Sequence, residues 1–163
     1  MICGDDDYGE AFKEAKLEHD QRRRSAEEQR LQAEADADAA ALSNVVLPQL
    51  EAAALQLEPL GGRVEIRRYG RTGKLLRPTS IAFRITDQQG HESRVYLIAP
   101  SGGKVTVTSG NGFDVTGKPQ QPENVSEKVG IQQRNDLTFE NVHKLILGAI
   151  AEYRDDRKHN QRG

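Results

Sequence analysis

Four short alternating stretches follow one another between residues 63 and 108, and they constrain the fold of this chain more than any other feature. Arg63 to Tyr69 places Val64 and Ile66 on one face, Thr79 to Thr86 groups Ile81, Phe83 and Ile85, Ser93 to Ala99 groups Val95 with Leu97, and Lys104 to Thr108 groups Val105 with Val107. A period of two is that of a β-strand with one buried face. Asp87-Gln88-Gln89-Gly90 and Pro100-Ser101-Gly102-Gly103 have turn composition, and Gly70-Arg71-Thr72-Gly73 opens a further link. Connections this short join antiparallel neighbours, so an up-and-down meander of four strands is expected. Phe113 and Val115, after Asn111-Gly112, are the candidates for a fifth, and Gly117 to Glu127, with two prolines, reads as a loop.

A one-sided sheet needs a cover, and the sequence offers two. Val46, Leu47, Leu50, Ala53, Ala54 and Leu57 recur at helical spacing until Pro59 and Gly61-Gly62 stop them. Val142, Leu145, Ile146, Ala149, Ile150 and Tyr153 form a second stripe, with Thr138 as cap, Glu140 in the first turn and Arg154, Arg157 and Lys158 toward the end. Both helices can cover a face built from Val64, Ile81, Phe83, Val95, Leu97, Val105 and Val107. The expectation is an α+β fold: a long N-terminal helix, then an antiparallel four- to five-stranded meander covered on one face by two amphipathic helices.

From Glu10 to Leu42 the chain holds neither Gly nor Pro and is rich in Ala, Glu, Gln, Arg and Lys, the composition of a helix-prone surface sequence. Its apolar pattern is thin. Tyr8, Phe12, Ala15, His19, Arg22, Ala26, Gln29 and Ala33 follow the three-four spacing of a coiled-coil seam, but polar His19, Arg22 and Gln29 interrupt it, so the pattern alone does not make a stable homomeric coil. Ser43 is a candidate cap for a new helix and Pro48 lacks an N–H, so a break near 43–44 or a kink near 48 is expected. The domain reading is a charged helical arm over 1–42, a two-layer α+β domain over 43–157 and a frayed tail over 158–163.

Charge is segregated. The formal net charge is only −2, which excludes a generally basic nucleic-acid binder. Residues 1–60 nevertheless carry fourteen acidic and six basic side chains, and residues 61–104 carry nine basic and three acidic ones. Alternation expects Arg67, Tyr69, Arg84, Arg94, Tyr96 and Lys104 on the face opposite the core, a basic sheet surface with aromatic rings among the charges. Such a face suits phosphates and bases, or an acidic protein. The acidic first 60 residues are a candidate occupant, within one chain or between two copies.

The remaining motifs carry little chemistry. Gly112 to Lys118 has the spacing of a phosphate-binding loop, but Pro119 stands where Ser or Thr would hold magnesium and the following residues cannot begin a helix. Gly70-Arg71-Thr72-Gly73 has the Gly-x-x-Gly spacing of a KH-domain loop without the flanking helices. His19, His91, His143 and His159 show no ligand spacing, so no metal and no cofactor is expected. The single cysteine, Cys3, excludes an internal disulfide and has no activating base nearby in sequence. Ala39 to Leu57 carries only Glu51 but is too polar for a membrane span of ~20 residues. The start is acidic where a signal peptide would be basic and then apolar, which points to the cytoplasm. The sequence therefore reads as a non-enzymatic protein-binding module with a helical arm, its partner unknown or a second copy joined through residues 1–60. Its alternatives are a nucleic-acid binder using Arg67, Arg84, Arg94 and Lys104, and an enzyme with a dispersed site.

Overall fold

The computed structural model describes residues 4–70 and 78–162, with side chains from residue 7 to residue 153. It has the expected α+β architecture. Helix α1 spans Gly4–Ala41, a π-helical turn spans Leu42–Val46, and α2 spans Leu47–Leu57. The expected break is instead this wide turn, in which the Leu47 N–H bonds to the Leu42 carbonyl five residues back. The reason lies in Pro48, in the first turn of α2. Without an N–H it cannot serve the carbonyl four residues earlier, and a turn with i→i+5 bonding passes that carbonyl to the next donor without ending the helix. A 3₁₀ turn over Glu58–Leu60 and a left-handed Gly61, with φ of 82°, then reverse the chain.

Strands β1 (Gly62–Gly70), β2 (Pro78–Asp87), β3 (Val95–Ser101), β4 (Lys104–Gly110) and β5 (Glu123–Asn124) form one sheet in sequence order, every pair antiparallel. The fifth strand is Glu123–Asn124 rather than the segment at Phe113 and Val115. Phe113 instead bridges Pro119 in a small hairpin whose tip leaves Val115 fully exposed. Asp114 makes that tip by accepting from the Thr116 and Lys118 N–H groups at 2.8 and 3.0 Å. The expected loop also contains the start of α3 (Ser126–Val129), where the Ser126 hydroxyl accepts the Val107 N–H at 2.8 Å.

Register corrects the expected core face of β3. Ile81 pairs with Ile98 and Phe83 with Tyr96, while Leu97 pairs with Ala82. Paired residues share a face, so Tyr96 and Ile98 join Val64, Ile81, Phe83, Val105 and Val107 in the core, and Val95 and Leu97 lie on the other side. Val95-Tyr96-Leu97-Ile98-Ala99 is apolar at every position, so alternation could not choose between its faces; pairing with β2 and β4 does. Helix α4 (Phe139–Arg162) and α2 cover the core face with Leu50, Val142, Leu145, Ile146 and Ala149 buried. Thr138 caps α4 as expected, its hydroxyl accepting the Asn141 N–H at 3.2 Å.

The packed body reaches further back than Ser43. Leu42 is fully buried in the core, and Asp38 accepts the Gly102 N–H at 3.0 Å at the β3–β4 turn. Arg134, in the short 3₁₀ turn Arg134–Asp136, bonds Glu34 at 2.6 Å and Asp38 at 3.1 Å. The last two turns of α1 are thus part of the folded unit. Among the described residues no helix is long and apolar enough to cross a membrane.

Candidate functional site

The six residues expected on one basic face divide between two. Arg67, Tyr69 and Arg84 lie together on the outer face of β1 and β2, and Lys104 is exposed on that face at the start of β4. Arg94 and Tyr96 lie on the helix side, because Tyr96 pairs with Phe83 and Ser109 in the core register. Arg94 donates to the Ser109 hydroxyl at 2.7 Å and to the Asn111 side chain at 2.8 Å. The Tyr96 hydroxyl donates to Glu152 of α4 at 2.5 Å, and burial together with that carboxylate pushes its pKa well up.

Nor is the outer face an open basic platform. Arg84 sits between Glu65 at 2.9 Å and Glu92 at 2.7 Å, which neutralise it. The hairpin around Phe113 folds back over the same place: the Arg67 and Arg84 guanidiniums lie 4.2 and 4.9 Å from the centre of the Phe113 ring, at cation–π distance. The Tyr69 hydroxyl donates to the Gly117 carbonyl, and partial burial raises its pKa. Gly110 shows how close the hairpin lies, since a Cβ there would stand 2.4 Å from the Gln120 carbonyl oxygen. Ala82 and Val95 are fully buried on this face. The acidic arm meets the body at Gly102 and Arg134, not on Arg67 or Arg84.

The cluster that sequence reasoning missed lies at the β2–β3 turn. Asp87 accepts from the Tyr153 hydroxyl, from the Gln89 and His91 N–H groups at 2.9 and 3.0 Å, and lies 3.1 Å from His91 Nδ1. The Tyr153 bond chiefly, with the His91 and Gln89 bonds behind it, holds this carboxyl well below the usual carboxylate range. A depressed folded pKa stabilises above the unfolded value near ~3.9, and that stabilisation is lost as pH falls through the folded value. The urea midpoint should therefore drop as pH is lowered from about 4.5 toward 2. Asp87→Asn, which keeps an acceptor for Tyr153, should flatten the drop; an unchanged slope would show that Asp87 is not its source.

His143 and His19 are exposed, and among the described residues no group of three or more His, Cys, Asp or Glu side chains is placed to hold a metal. Cys3, residues 71–73 and the His159 side chain lie outside the described residues.

Among the described residues the arm is a long exposed surface. Every residue from Asp7 to Ala33 is exposed except the half-buried Asp20. Tyr8 is 79% exposed and Phe12 71%. At 1.5 Å per residue these turns extend roughly 40 Å. Within the seam, Ala33 lies about 140° around the helix from the anchoring Asp38, and it is exposed.

Against protein-family models, curated proteins and solved structures, the chain finds no match.

Proposed function

We propose that this protein is a non-enzymatic protein-binding module of the cytoplasm, with α1 as its contact element and the α+β body as the base that carries it. The observation that supports this most is the exposure of Tyr8 and Phe12 on a helix that bonds to the body through Glu34 and Asp38 near its C-terminal end. An isolated helix is marginal in water and takes most of its stability from packing an apolar face, so a contact along the seam favours the ordered arm. Aromatic side chains are also the residues that anchor protein interfaces most often. The nucleic-acid reading has less behind it, since Arg84 is paired with two carboxylates and Arg94 lies on the other side of the sheet.

Photo-cross-linking in the source cells tests this. A light-activated residue at position 12 should give a discrete protein adduct, while the same residue at Val115, exposed on the body, should not. No adduct at position 12, or the same adducts at both positions, would overturn the reading.

A further inference from the structure

We infer that the arm's partner is an acidic amphipathic helix of another protein, whose apolar seam is flanked by Asp or Glu and packs along Tyr8, Phe12, Ala15, Ala26 and Ala33. This rests on the reading of α1 as a protein-contact element and names the chemistry of what it contacts.

Lys16, Arg23 and Arg30 are seven residues apart, so they form one row beside the seam. Arg22 lies in the seam itself. The opposite flank, Ala11, Glu18, Ser25 and Gln32, holds a single charge. The acidic side chains Glu14, Glu27 and Glu28 sit outside both flanks, where a partner helix does not reach. The surface a partner meets is therefore basic, although the arm as a whole is acidic. Alanine at 15, 26 and 33 leaves room for large side chains from the other helix, since facing large and small residues fill such a seam.

A second copy does not meet these requirements. Two arms in parallel register set Arg22 against Arg22. Two antiparallel arms with Tyr8 opposite Ala33 set Arg22 against His19 and bring Lys16 beside Arg23. Both arrangements juxtapose like charges, which specify against pairing. A nucleic-acid strand fits less well than a helix, because Glu14, Glu27 and Glu28 would repel its phosphates while the aromatic tip and alanine seam offer a helix its packing surface.

The test uses the full chain and two designed helical peptides of about four heptads, both with leucine in the seam, one flanked by Glu and the other by Lys. Fluorescence anisotropy should show the Glu-flanked peptide binding at least tenfold more tightly, with affinity falling as salt rises. The variant K16E/R23E/R30E, altered only at exposed positions, should keep its circular dichroism and melting transition yet reverse the preference. Equal binding of both peptides, no binding of the Glu-flanked one, a preference unchanged in the variant, or a salt-stable homodimer in sedimentation would overturn the inference. A position-12 adduct combined with no peptide preference removes the acidic-helix assignment alone. Absence of that adduct removes the protein-contact reading beneath it.

Discussion

Ile146→Asp is expected to abolish the cooperative unfolding transition, leaving a chain without a stable core at 25 °C. Ile146 is 4% exposed and packs in the cluster that joins α4 to the core face of the sheet. Truncating such a side chain alone costs about 2–5 kcal/mol. A carboxylate in its place adds the cost of a buried charge with no partner, and the sum rivals the ~5–15 kcal/mol that a domain has in total. Leu145→Asp should behave alike, at 5% exposure, whereas Leu147→Asp should shift the midpoint only slightly because Leu147 is half-exposed. Thermal melts of the three variants check this. Equal losses in all three would mean that α4 is buried on more than one side.

Two truncations should separate the arm from its root. Deleting residues 1–30 removes turns that are exposed from Asp7 onward except at Asp20, and should leave the melting transition close to that of the full chain. Deleting residues 1–42 should destabilise it strongly. The longer deletion empties the core position of Leu42, a loss of about 2–5 kcal/mol for a buried leucine. It also strips Arg134 of Glu34 and Asp38 and leaves the Gly102 N–H without its acceptor. If both truncations melt like the full chain, the contacts of Glu34, Asp38 and Leu42 contribute nothing to the body.

The architecture was legible because its signals are periodic. Alternation over 63–108 announced the meander, and the stripe from Val142 to Tyr153 announced α4, because each pattern follows the geometry of its own element. What failed was whatever depends on contacts distant in sequence. Val95 to Ala99 offers apolar residues to both faces, so only pairing with Phe83 and Val107 fixes which way Tyr96 turns. That single register places Arg94 and Tyr96 beside α4 and divides the expected basic face. Phe113 and Val115 alternate too briefly to place either residue, and the position of Phe113 beside Arg67 and Arg84 comes from the hairpin that Asp114 shapes. Apolar periodicity begins only at Ser43, yet the body is anchored earlier by polar residues, Glu34 and Asp38. Their spacing of four with Asp38 four before Leu42 was the available signal, and two carboxylates in an acidic helix do not announce an arginine a hundred residues away.

The measurement that bears most directly on the account is amide hydrogen exchange of the full chain, resolved along the sequence, alone and with saturating Glu-flanked peptide. Alone, residues 7–30 should exchange rapidly and residues 42–57 slowly, because one segment is solvated on all sides and the other carries the buried Leu42, Val46 and Leu50. With the peptide, protection should rise between Tyr8 and Ala33 and remain unchanged in the sheet. Protection of the arm equal to that of the core without any partner, or protection gained on the sheet rather than the arm, would contradict an arm that projects from the body to bind another helix.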